Sequence, residues 1–259
     1  MKFLIWLAVF PSLVIALLIY KADKKEKEPK RELIKAFLLG ILSVVLTLII
    51  SYVLNITSYE LNSESFIEVA IYSFLGISLV EEFSKWICSF FFLKRNKNYD
   101  YLFDGIVYAT FVSLGFATIE NILYTFSGGI FTGIIRAITT VPAHAFFGIS
   151  SGYFLSLSKQ QKIIGNNSEK NRYLFLSLFI PVLLHGFYDF CLLTQNYIFF
   201  IIYLIFVVCL YSFSIYHVKK MMKMESPFIK NKVLFCKYCG NRVGSNYCSN
   251  CGKKVEEDS

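Results

Sequence analysis

The 259-residue sequence predicts an all-α polytopic membrane protein of about seven transmembrane helices, followed by a small cysteine-rich module. Three observations lead there. First, 56% of the residues are hydrophobic and 17% charged, with a mean hydropathy of +0.55, more apolar surface than one soluble core can hide. Second, apolar runs of about 20 residues, the length that crosses a bilayer as a helix, recur along the chain. Third, Lys and Arg crowd every second connection between those runs. The net charge of +8 would suggest a nucleic-acid partner in a soluble chain. Here membrane topology accounts for it, and no nucleic-acid partner is expected.

The first run, 3–20, ends in the bulky Leu18, Ile19 and Tyr20 and lacks a small-residue cleavage site, so it reads as a retained span rather than a signal peptide. Six more follow at 33–54, 66–93, 102–126, 130–157, 173–193 and 198–217. The connections at 21–32, 94–98 and 158–172, and the segment 219–223 after the last run, are rich in Lys and Arg. Those at 55–65, 127–129 and 194–196 contain neither. The positive-inside rule then puts the N-terminus outside and the C-terminus in the cytoplasm, with Lys2 the only dissenting charge. Cys88, Cys191 and Cys209 fall in apolar stretches and behave as small hydrophobes.

Among the ionisable side chains within these runs, six stand out: Glu81, Glu82, Glu120, His144, His185 and Asp189. Each would cost roughly 2.5–3.5 kcal/mol at the centre of a lone inserted helix, so together they are expected to face one another or a water-filled cavity. Depth counted along the helices puts them in one central-to-outer band, with His144 near the middle of the fifth span. Glu81, Glu82 and Lys85 form an EExxK pattern in which Lys85 can reach either acid. The two carboxylates diverge by about 100°, so one Lys cannot neutralise both. His185 and Asp189, at i and i+4, share a helix face where the carboxylate can fix the imidazole tautomer. Glu120 follows Phe116 in an FxxxE pattern and precedes Asn121. Arg136 either anchors a helix or binds a carboxylate. Two histidines and three glutamates are the side chains needed to activate water. With a catalytic divalent metal, His144, His185 and one glutamate would supply three ligands; without one, a glutamate would itself be the base. Our expectation is that one of Glu81 and Glu82 is the base while the other pairs with Lys85. Proton-coupled transport and a non-catalytic receptor or immunity factor are the competing readings of the same polar groups.

The ordered set EEFSK (Glu81 to Lys85), FDGIVYA (Phe103 to Ala109), GFATIEN (Gly115 to Asn121), RAITTVPAHAFFGISSGY (Arg136 to Tyr153) and HGFYD (His185 to Asp189) resembles the PrsW family of bacterial intramembrane proteases. That family is distantly similar to the CAAX-protease and bacteriocin-processing superfamily. The resemblance, over about 65–195, implies peptide-bond hydrolysis of a membrane-anchored protein, in some members an anti-sigma factor cut on the extracytoplasmic side. It implies catalytic positions at Glu81, Glu82, Lys85, Glu120, His144, His185 and Asp189. It leaves open whether a metal takes part.

Near the C-terminus, Cys236 and Cys239, then Cys248 and Cys251, form two CxxC pairs, each followed by glycine. Four thiolates at this spacing present a tetrahedral set to one structural Zn²⁺. The expected organisation is a transmembrane protease domain at 1–220, a linker at 221–233 and a zinc ribbon at 234–254 that docks a cytoplasmic partner or regulates the enzyme.

Overall fold

A computed structural model describes residues 2–23, 27–56, 61, 65–224, 228, 234–235, 239, 242–243, 250–251 and 253. Its architecture is helical throughout the transmembrane region: α1 (Lys2–Ala22), α2 (Lys30–Val53), α3 (Phe66–Ile71), a π-helical segment (Tyr72–Ser78), α4 (Leu79–Arg95), α5 (Leu102–Ile138), α6 (Thr140–Ile163), α7 (Asn167–Leu193) and α8 (Tyr197–Met224). With α3, the π segment and α4 taken as one rod, seven rods correspond to the seven expected spans. Among the described residues, five helical stretches are long and apolar enough to cross a bilayer, one of them, Leu102–Ile163, holding both α5 and α6. The exposed large side chains, among them Trp6, Leu38, Leu48, Phe200 and Ile205, form the apolar coat such a protein turns toward lipid.

Helix α5 is the axle of the bundle. Its residues from Leu102 to Thr118 are all buried, and α1, α2, α4 and α6 pack around it. Its start is fixed locally: Asp104 Oδ2 accepts from the backbone N–H groups of Tyr101 at 2.6 Å and Asp100 at 2.9 Å, satisfying donors that a helix end leaves open. Small residues set the spacing to α6. A Cβ on Gly152 would run into the carbonyl oxygen of Gly105, so the two backbones touch, as small residues permit between membrane helices.

The structure corrects three boundaries. The fourth span was expected to stop at 126, before a loop at 127–129. Instead the chain stays helical to Ile138 and only kinks at Gly129, where φ is +80°, a left-handed value that glycine adopts without strain. The fifth span therefore starts at Thr140 rather than 130, with Pro142 in its first turn, where a missing N–H costs nothing. His144 is consequently the fifth residue of α6, not a mid-span residue. The third span is not a uniform helix but widens into a π segment just before the two glutamates, a deviation often found at functional sites.

In the connection between α1 and α2, Glu28 is buried. Its Oε2 accepts from the Tyr108 hydroxyl, and its N–H donates to Asp23 Oδ2 at 3.3 Å. Burial, reinforced by the Asp104 carboxylate, pushes the Glu28 carboxyl well above the ordinary carboxylate range. The folded state thus holds a proton that the unfolded chain releases. This contribution is complete below the unfolded pKa and fades as pH rises toward the folded one. Glu28→Gln, which keeps the shape without titrating, should raise the thermal unfolding temperature more at about pH 8 than at about pH 5. An equal shift at both would contradict the assignment.

At the C-terminus two short strands, β1 (Leu234–Phe235) and β2 (Arg242–Val243), pair antiparallel, Leu234 opposite Val243 and Phe235 opposite Arg242. Cys239 and Cys251 are exposed and lie in turns, while Cys236 and Cys248 fall outside the described residues. The linker expected from 221 begins as helix, since α8 runs to Met224.

Candidate active site

The seven predicted site residues come together where α4, α5, α6 and α7 meet. Three bonds between elements hold this junction. Trp86 Nε1 on α4 donates to Ser177 Oγ on α7 at 2.7 Å. Ser113 Oγ on α5 donates to the His144 carbonyl at 2.6 Å. Ser78 Oγ, at the end of the π segment, donates to the Val182 carbonyl at 2.9 Å. A glycine at 186 lets the ring of Phe74 lie directly on α7 beside His185.

Glu82 and Lys85 form the inner pair, 2.5 Å apart and each about 4% exposed. Lys85 Nζ also lies 3.1 Å from His144 Nδ1 and 4.5 Å over the Phe116 ring. It is 3.9 Å from Glu81 Oε2, too far for a hydrogen bond, and that buried oxygen has no hydrogen-bond partner among the described atoms. The divergence of the two glutamates thus has the expected consequence: Lys85 takes Glu82, and Glu81 is left over.

His185 is held more tightly than the i, i+4 spacing alone implies. Its Nδ1 lies 2.8 Å from Glu82 Oε1, its Nε2 is 3.3 Å from Asp189 Oδ2 and 3.9 Å from Glu81 Oε2, and its ring stacks on Phe147 at 4.9 Å. Glu82 is therefore its closest carboxylate, a partnership that sequence spacing across two helices could not reveal. His144 is buried with Nε2 2.7 Å from Glu120 Oε2, and the other carboxylate oxygen of Glu120 lies 3.0 Å from Arg136. Arg136 thus binds a carboxylate, and Nε also donates to Asn121 Oδ1 at 3.3 Å. Asn121 in turn donates to the Ala8 carbonyl at 2.8 Å, which ties this corner of the site to α1. The role of α1 had no signal in the sequence, since the acceptor is a backbone oxygen.

Four carboxylates, Glu81, Glu82, Glu120 and Asp189, face two permanent cations, Lys85 and Arg136. With both imidazoles neutral the group is two positive charges short, a costly imbalance in a buried setting. One divalent cation would correct it, as would two protons shared among these groups. Ligand atoms of Glu81, His144 and His185 all lie within 4.8 Å of one another, and two imidazoles with one carboxylate are a common donor set for a catalytic zinc. The residues present fit such an ion.

The chain matches the PrsW family intramembrane metalloprotease over residues 28–214, most of its length and all of the site. It belongs to the PrsW family. Curated relatives agree: the protease PrsW of Oceanobacillus iheyensis is 39% identical over 82% of this chain and 93% of its own. That of Clostridioides difficile is 35% identical over 83% and 90%, and that of Bacillus subtilis 33% over 82% and 92%. No solved structure matches the chain at a significant level. This PrsW family member is thus an intramembrane protease, and the family match ends before the cysteine pairs.

Proposed function

We infer that the protein is an endopeptidase that cuts a membrane-anchored, single-span protein on the extracytoplasmic side of the bilayer, as a step in regulated proteolysis, with an anti-sigma factor as the substrate. The observation that carries this reading is the convergence of Glu81, His144 and His185 from three helices on one buried point. Charge supports the side. With the Lys-rich connections in the cytoplasm, Glu120 lies about 27 Å along α5 from its inner end, and His144 lies in the outer turns of α6.

Glu81, His144 and His185 would hold the metal, and a bound divalent ion supplies Lewis acidity toward water and the scissile carbonyl. Glu82 accepts from His185 Nδ1, the support that ligating histidines usually have, and Nε2 is left facing Glu81 and Asp189. Lys85 balances Glu82, so Glu82 is a positioning residue rather than the base. Were His144 to hold the metal through Nε2, its proton would move to Nδ1 and its bond to Glu120 would be given up. Glu120 Oε2 would then be free to take the proton of the attacking water and pass it to the leaving amine, with Arg136 holding the carboxylate in place.

The test is cleavage of a single-span substrate in liposomes, with metal content measured on the same preparations. Glu81→Gln should lose metal and cleavage together. Glu120→Gln should keep its metal and lose about 10²–10⁴-fold in rate. Full cleavage by either variant would overturn these roles. Metal retained in an inactive Glu81→Gln would make Glu81 the base.

A further inference from the structure

The inner ends of α4, α6 and α7 line a cavity of about 500 Å³ that shares no lining residue with the active site. Lys94, Lys159, Lys162 and Lys170 line it, over an apolar wall that includes Phe90, Leu93 and Leu174. Lys159 is already engaged, donating to the Tyr99 carbonyl and stacking over the Tyr99 ring at 3.7 Å. The other three form no ion pair with any described acid. Helix dipoles explain Lys94 and Lys162, which sit in the last turns of α4 and α6. They do not explain Lys170, which sits near the start of α7, where a cation is disfavoured. The acid of that turn, Glu169, is paired with Arg172 at 2.5 Å.

Three cations of one sign around one cavity, with an apolar wall and a place at the edge of the lipid-facing bundle, match a ligand that is anionic at one end and hydrocarbon at the other. We propose that this cavity binds an anionic glycerophospholipid of the inner leaflet, its phosphate among Lys94, Lys162 and Lys170 and its acyl chains along Phe90, Leu93 and Leu174. Basic pockets between membrane helices on the cytoplasmic side recognise head groups by this chemistry. The site adjoins Phe228, whose ring packs against Tyr99 at 5.1 Å and whose N–H donates to the Asp100 carbonyl at 2.8 Å. Lipid occupancy thus reaches the point where the chain leaves the membrane domain. The proposal does not depend on the proteolytic roles above, and only the leaflet depends on the orientation.

The experiment is native mass spectrometry of the full chain in detergent, titrated with phosphatidylglycerol, with phosphatidylcholine of the same acyl chains, or with glycerol 3-phosphate. Wild type should retain phosphatidylglycerol preferentially. The triple variant Lys94→Gln/Lys162→Gln/Lys170→Gln should bind it about 100-fold more weakly, from roughly fivefold per lysine, with proteolysis in detergent unchanged. An equal-charge control, Lys30→Gln/Arg31→Gln/Lys97→Gln, should bind as wild type does. Equal losses in both triples would mean general surface attraction and overturn the proposal. So would equal retention of phosphatidylcholine, or glycerol 3-phosphate binding as tight as the lipid. Should the triple variant not fold, Lys170→Gln alone must weaken binding about fivefold, and its failure to do so is equally decisive.

Discussion

His185→Ala is expected to lower proteolysis at least about 10³-fold and to remove most of the bound metal, because one ring makes four of the site's contacts. Its Nδ1 meets Glu82, its Nε2 faces Glu81 and Asp189, and its face lies on Phe147. Asp189→Asn should cost less, about 10–100-fold, since Asp189 is the more distant of the two carboxylates that touch the ring and is partly exposed. Single-turnover cleavage and metal content on the purified variants measure both effects. A His185→Ala protein that cuts as wild type does would remove the ring from the chemistry altogether.

Lys85→Met should destabilise the fold by about 3–5 kcal/mol, the usual consequence of removing one partner of a buried ion pair. Lys85 and Glu82 are each about 4% exposed, so no solvent takes over when the ammonium goes. His144 also loses the donor beside its Nδ1, and Phe116 the cation over its ring. The double variant Lys85→Met/Glu82→Gln should recover part of the loss, because it removes the stranded charge along with its partner. It should stay inactive, since His185 then lacks its orienting carboxylate. Denaturant unfolding in detergent tests this, and a Lys85→Met protein of wild-type stability would show that Glu82 does not depend on the pair.

The fold class and the list of polar residues could be read from the chain because both rest on strong local signals. Apolar runs with basic ends mark the spans, and a charge inside such a run has few reasons to be there. Glu81, Glu82, Lys85, Glu120, His144, His185 and Asp189 all reach one junction. Pairing across helices was not legible. That Glu82 serves His185, that Arg136 holds Glu120, and that the Ala8 carbonyl steadies Asn121 depend on rotation and register between helices, which no spacing within one helix encodes. The misplaced fifth span has a similar origin. Two adjacent glycines at 128 and 129 look like a loop, yet one left-handed residue bends the helix without ending it, and the true break falls at Thr139, three residues before Pro142.

The contact between Gly105 and Gly152 reaches well beyond its own neighbourhood. Because those backbones touch, the local separation of α5 and α6 is set by two missing methyl groups, and the same two helices carry Glu120 and His144. A selection for inactive alleles should therefore recover alanine and serine at these glycines alongside changes to the acids and imidazoles. The vulnerable positions of this enzyme are spread along an entire helical seam, not gathered around the cleavage chemistry alone.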